Sequence, residues 1–245
     1  MTTCLYRKRD DGPFTSREHT IPESLGNQGH GGKPLILLQR GVVCDKCNNE
    51  VLSGLDSTLL DFMPISLMRT FYGVVSKSGK LPETKLSNAT LRMVAPNHVV
   101  FQPNSPKALI DKGGGEYALS LLSNRKVTPK QCRDVTRVLF KMTLGCMYDD
   151  QPALALSERF DPMRRKIRGE DDFHGYVTVV ARVWEPTAQN MRSGLYYGLI
   201  EGPGRKPTVW TRLDFFKVSL FTDLVARGPQ KPSLFPGDKA EVLEF

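Results

Sequence analysis

Cysteine is scarce, with five in 245 residues. The number is odd and the chain long, so a disulfide-stapled scaffold is not expected. No apolar run approaches the ~20 residues that cross a bilayer. The first eleven residues are polar and charged and lack the apolar stretch of a secretory signal. The reading is a cytoplasmic chain with no membrane role. Internal repeats and long low-complexity tracts are absent. Several enzyme signatures are missing too: there is no G-x-S-x-G, no H-E-x-x-H and no dinucleotide fingerprint. Gly113-Gly114-Gly115 is not followed by the G-K-[ST] of a phosphate loop.

What is present is an ordinary globular composition, 40% hydrophobic and 24% charged, with a net charge of +8. The excess is local. Residues 124–168 carry 11 Lys/Arg against 5 Asp/Glu, whereas residues 1–60 balance at seven and seven. Such an excess suits phosphate backbones, anionic surfaces or acidic partners. Arg164, Arg165, Lys166 and Arg168 form the densest run. With Arg125, Lys126, Lys130, Arg133 and Arg137 they make either a phosphate-tracking surface or a solvated helix face.

Periodicity divides the chain into three stretches of an α+β fold: 1–60, 61–170 and 171–245. In the first, Gly26 to Lys33 reads as a loop and Pro34 to Val43 as a strand. Val51, Leu55, Leu59 and Phe62 then mark a helix from about residue 45. The second stretch is mixed and mainly helical. Met63 to Val75 reads as helix, and Ala89–Val94 with Val99–Gln102 as a hairpin. Thr128-Pro129 starts a helix to about residue 148, with Cys132, Val135, Leu139, Met142 and Cys146 on its apolar face. A second helical stretch covers Ala153 to Ile167. The third is β-rich, with runs at Tyr176–Trp184, Gly194–Ile200, Thr208–Phe216 and Ala240–Phe245. The acidic Arg168–Phe173 segment is the boundary, or a loop within one α+β domain. Trp184, Trp210, Tyr196 and Tyr197 in this stretch suit packing, or stacking on a base.

The chemistry-bearing residues cluster between Cys4 and Asp56. Cys44-Asp45-Lys46-Cys47 is a C-x-x-C, the spacing with which two thiolates grip one zinc ion. A redox reading needs a thioredoxin-like βαβ context, which is missing. Glu18-His19 is followed by Pro22, and Asn48-Asn49 follows the C-x-x-C directly.

In this order, Ser16-Arg17-Glu18-His19-Thr20-Ile21-Pro22-Glu23-Ser24-Leu25-Gly26 and Val43-Cys44-x-x-Cys47-Asn48-Asn49 to Leu55-Asp56 resemble the HNH endonuclease superfamily. The likeness is to the variants that read E-H-x-x-P and end in Asn. It covers about a fifth of the chain. Arg159 to Arg165 and the preceding helix resemble the C-terminal part of stand-alone bacterial members. The resemblance implies an N-terminal ββα-metal module that holds one Mg²⁺ or Mn²⁺ against a scissile phosphate. His19 matches the general base, with an ordinary pKa near working pH. Glu18 matches the acidic metal ligand, and Asn48 the last motif position, both catalytic and metal-ligating. The implied activity is phosphodiester hydrolysis in nucleic acid, most naturally double-stranded DNA, nicked by a monomer or cut through by a homodimer, in restriction, phage defence or mobile DNA. A degenerate, non-cleaving nucleic-acid-binding scaffold and an RNA-directed nuclease are the alternatives.

Related proteins hold a structural zinc with two C-x-x-C pairs. Here the first pair reads Cys4-Leu5-Tyr6-Arg7, and arginine cannot ligate a metal. Three outcomes stay open. Cys4, Cys44 and Cys47 hold zinc with a fourth ligand such as His30; they hold it weakly with water; or the zinc is lost and Arg7 pairs with Asp10, Asp11 or Asp45.

Overall fold

The computed structural model describes residues 3–25, 36–76, 78–95, 98–119, 127–181, 194–200, 208–224 and 239–244. Its first unit is a hairpin and a helix. Strand β1 (Glu18–His19) pairs antiparallel with β2 (Leu37–Leu38), Glu18 opposite Leu38 and His19 opposite Leu37. Among the described residues, the expected strand Pro34–Val43 gives only this pair to the ladder. Gly41, at φ 94°, turns the chain, and the Val42 carbonyl instead accepts from the Leu5 amide. A π-helical turn (Cys47–Leu52) leads into α1 (Ser53–Asp61), which buries Leu55 and Leu59 as their spacing requires. Phe62 leaves helical geometry at ψ 121°, and α2 (Met63–Phe71) starts afresh with Pro64 in its first turn.

A three-stranded meander follows: β3 (Glu83–Lys85), β4 (Ala89–Ala95) and β5 (His98–Pro103). The hairpin of β6 (Leu109–Gly113) and β7 (Glu116–Leu119) turns through the three glycines, all at positive φ, a conformation costly for any residue with a Cβ. The helix α3 (Pro129–Asp150) begins with a full capping box. The Thr128 hydroxyl accepts from the Gln131 amide, and the Gln131 side chain accepts from the Thr128 amide. From Val135 through Met147 nearly every side chain of α3 is buried, so this helix is surrounded rather than laid on a surface. The second helical stretch is two helices, α4 (Pro152–Ala155) and α5 (Asp161–Arg168), separated by a 3-10 turn.

The last layer is a five-stranded antiparallel sheet in the order β12-β8-β11-β10-β9. Its strands are β8 (Tyr176–Ala181), β9 (Gly194–Ile200), β10 (Thr208–Phe215), β11 (Val218–Asp223) and β12 (Lys239–Glu244). Along β10, Val209, Thr211, Leu213 and Phe215 face inward, and Trp210, Arg212 and Asp214 outward. Strand β11 is missing from the sequence reading. Its turn is Phe216-Lys217, with Phe216 at φ 51°, where a two-residue hairpin normally carries glycine or asparagine. Phe216 is held there by stacking flat on Tyr72, ring centroids 4.0 Å apart.

One buried cluster runs from Cys4 and Leu5 through Leu59, Phe140 and Met163 to Leu213 and Leu220. The three stretches thus share a core. The Arg168–Phe173 segment returns to it only at its end: Gly169 ends α5 at φ 74°, and Phe173 lies against Phe140. No single described helix is long and apolar enough to cross a membrane.

Gly145 is the closest approach of α3 to the hairpin. A Cβ there would lie 2.7 Å from the Thr20 methyl and 2.8 Å from its hydroxyl, and Thr20 is fully buried. Gly145→Ala is therefore expected to destabilise the fold by about 1–3 kcal/mol through overpacking, against its gain in helix propensity. Urea unfolding measures this, and an equal or more stable variant would contradict the packing described.

Candidate metal centre and active site

The chain brings Cys4, Cys44 and Cys47 together although forty residues separate the first two. All three are buried, and their sulfurs lie within 4.8 Å of one another. No disulfide joins them. A zinc ion with Zn–S bonds of about 2.3 Å sets sulfurs roughly 3.8 Å apart, so the cluster suits a metal such as zinc through three ligands. The electrostatics agree. A hydrogen bond from Cys47 outweighs burial and, with amide donors at Cys44, Tyr6 and Arg7, lowers the Cys4 thiol to about 5, whereas the same bond and burial push Cys47 up.

Arg7 stands beside this cluster as the sequence places it. One guanidinium nitrogen is 4.0 Å from the Cys44 sulfur, and another is 3.1 Å from Asp11. Of the three acids named as partners, Asp11 is the one it takes. Asp45 serves otherwise: it accepts four hydrogen bonds from Thr15 and Ser16, which hold its pKa down at about 2 and tie the segment before Glu18 to the C-x-x-C. His30 lies outside the described residues.

Within the basic run of α5, Arg164 is a correction. Arg164 is buried, not presented to a phosphate backbone. Its guanidinium donates to the carbonyls of Leu5, Ser157 and Ala155 and to Asp161. Arg168 donates to the Tyr6 carbonyl and pairs with Glu170. Together they clamp the Cys4–Tyr6 turn whose backbone carries the first cysteine of the cluster. Arg165 pairs with Asp171, and Lys166 donates to the Leu224 carbonyl and lies over the Phe173 ring. The physical reason is packing: α5 lies against the cysteine turn, where Arg164 and Arg168 find carbonyl acceptors, whereas Arg165 stays 47% exposed. Arg125, Lys126 and Trp184 lie outside the described residues.

The E-H and C-x-x-C-N halves meet. The Asn48 side-chain amide donates to the Arg17 carbonyl at 3.2 Å, docking the helix start against the strand that carries Glu18 and His19. His19 sits at a partly exposed position with Nε2 3.3 Å from Glu23. Glu18 points inward. Its carboxylate lies 2.5 Å from the Lys141 ammonium, which also donates to both oxygens of Asp56 at 2.9 Å and to the His19 carbonyl at 3.1 Å. Lys141 is wholly buried, and the Glu18 side chain is only 5% exposed. Burial alone would pull the lysine down; Asp56 and Glu18 outweigh it and hold Lys141 above its usual range, as an ammonium. Burial raises both carboxylates despite Lys141.

As arranged, the residues do not fit a magnesium ion held by Glu18. Mg²⁺ keeps several waters around itself. The carboxylate that the resemblance assigns to it is enclosed and already the counter-ion of an ammonium. Sequence reasoning missed Lys141 because it occupies an apolar helix face, between Leu139 and Met142, where a cation reads as the polar edge. A lysine inside the period of a buried stripe was the available signal.

No protein-family model matches this chain, and neither a curated protein nor a solved structure matches it.

Two outcomes test the geometry. Lys141→Met leaves Glu18 and Asp56 facing each other without a counter-charge, which is expected to cost about 3–5 kcal/mol. Both carboxyls then hold protons more tightly folded than unfolded, so the variant is most stable in acid and loses stability as pH rises past the carboxylate range. Urea unfolding against pH reads this; a loss independent of pH would contradict the charge account. Arg7→Cys supplies a fourth thiolate and removes a cation. It is expected to tighten zinc binding at least about tenfold, seen by competition with a chromophoric chelator, in line with the folding energy that complete zinc sites supply.

Proposed function

We propose that the chain is an HNH-type endonuclease that hydrolyses phosphodiester bonds in nucleic acid, double-stranded DNA being the first substrate to try. The observation that carries this reading is the Asn48–Arg17 hydrogen bond within a hairpin-and-helix unit. It joins two motif halves, 31 residues apart, on the two elements that a ββα module would use. In this reading His19 takes a proton from the attacking water. Glu23, beside its ring, stabilises the imidazolium that results. Lys141, bonded to the His19 carbonyl, fixes the backbone from which the ring projects. The cysteine cluster, with zinc or without it, fixes the start of the helix that carries Asn48.

A second reading is favoured by one observation. Glu18 is bound to Lys141, so a divalent ion on Glu18 would require that ion pair to open. A non-cleaving nucleic-acid-binding scaffold needs no such change.

Cleavage of supercoiled plasmid by the purified protein, with Mg²⁺, Mn²⁺ or EDTA, separates the two. The nuclease reading expects metal-dependent nicking or linearisation, reduced by about 10²-fold or more in His19→Ala. Salt-sensitive binding without cutting under any metal would favour the scaffold. Cutting that survives His19→Ala would remove His19 from the mechanism.

A further inference from the structure

A cleft of about 770 Å³ lies away from the cysteines and His19, between the end of α2 and the strands β3 and β4. Its size suits a nucleotide-sized ligand. Arg69, in the last turn of α2, lines it. The Arg69 Nε is buried, and among the described residues no hydrogen bond or ion pair reaches its guanidinium. Burial lowers its pKa, opposed only by the charge of Asp61. A buried cationic donor left in this state is costly, and a bound anion would satisfy it. Lys80 lines the same cleft and has no charged partner among the described residues. The one carboxylate there, Glu83, is already taken by Arg92 at 2.6 Å and by Lys85 at 3.6 Å, so it does not neutralise the other two. Leu81 and Val94, 37% and 50% exposed, add apolar surface to the lining.

We propose that this cleft binds a strand of nucleic acid, with a backbone phosphate on Arg69 and Lys80 and the adjoining sugar and base along Leu81 and Val94. The inference rests on the nucleic-acid reading above and supplies it with a cationic cleft. Arg69 suits the task because its planar fork can donate two bonds to one phosphate. A free nucleotide shares this chemistry, and the test separates the two sources.

Binding of a short fluorescent single-stranded DNA is measured by anisotropy over a salt series, for the full chain and for Arg69→Met and Lys80→Glu. The expected result is a loss of about tenfold or more for Arg69→Met, the loss of one charge-assisted contact. Its salt slope should fall by about 0.7 for each phosphate contact removed. Lys80→Glu, an exposed change that leaves the fold intact, should weaken binding as well. Thermal unfolding of Arg69→Met should show no loss of stability, because no partner is lost.

Unchanged affinity and slope in both cleft variants, or no binding by the parent protein, would overturn the proposal. So would a destabilised Arg69→Met beside a normal Lys80→Glu, which would make Arg69 structural. Displacement of the oligonucleotide by equimolar mononucleotide would overturn the assignment to a strand. Plasmid cutting that Arg69→Met leaves intact would remove the cleft and keep the nuclease. Cleft-dependent binding without any cutting would keep the cleft and remove the nuclease.

Discussion

Lys141 enters the molecule from α3 and ends against three acceptors on two other segments: the Glu18 carboxylate and His19 carbonyl on β1, and the Asp56 carboxylate on α1. No other side chain described binds the hairpin, the following helix and the central helix at one point. The contact is electrostatically demanding. Three charges are withdrawn from water, and their attraction offsets that desolvation only if the geometry is maintained. Gly145, four residues on, lets the helix approach closely enough to maintain it, because Thr20 fills the space where a side chain would stand. The position of Glu18 and His19 is therefore set by a helix more than a hundred residues downstream. Two strand residues on each side of a hairpin would not fix it alone, since isolated hairpins are marginal in water.

A similar arrangement holds the cysteine turn. Arg164 and Arg168 come from α5 and donate to the carbonyls of Leu5 and Tyr6, while Cys4 receives the Cys44 amide at 3.5 Å. Buried carbonyls need donors, and a guanidinium supplies several in a fixed fork. The turn that carries Cys4 is thereby shaped from outside. This bears on Arg7, which replaces a fourth thiol with a cation yet leaves the other three sulfurs within metal-binding reach. Its charge is shared between Asp11 and the Cys44 sulfur.

These two clamps change the meaning of the basic excess. Net charge describes a surface only if the charges lie on it. In residues 124–168, Lys141 and Arg164 are buried, and Arg137 pairs with Asp134 while donating to the Ile167 carbonyl. Arg69 and Lys80, by contrast, line a cleft and make no ion pair among the described residues, in a stretch that no charge count singles out.

Local physics was legible in the sequence. The Thr128–Pro129 helix start, the leucine spacing of α1 and the C-x-x-C at a helix start depend on residues within a few positions of one another. The α+β class follows from their order. Strand β11 was not legible, because its turn uses Phe216 at positive φ and relies on a stacking partner, Tyr72, far away in the chain. Lys141 and Arg164 were not legible either. A lysine or arginine carries the same local signal whether it faces water or a buried acceptor, and only the packed fold brings Glu18, Asp56 and the Leu5 carbonyl to meet it. The sequence by itself determined which groups can do chemistry and which segments carry them. The tertiary structure decided which charges are spent holding the fold and which remain for a ligand, because burial and partner distance, not residue type, set the energy of a charge.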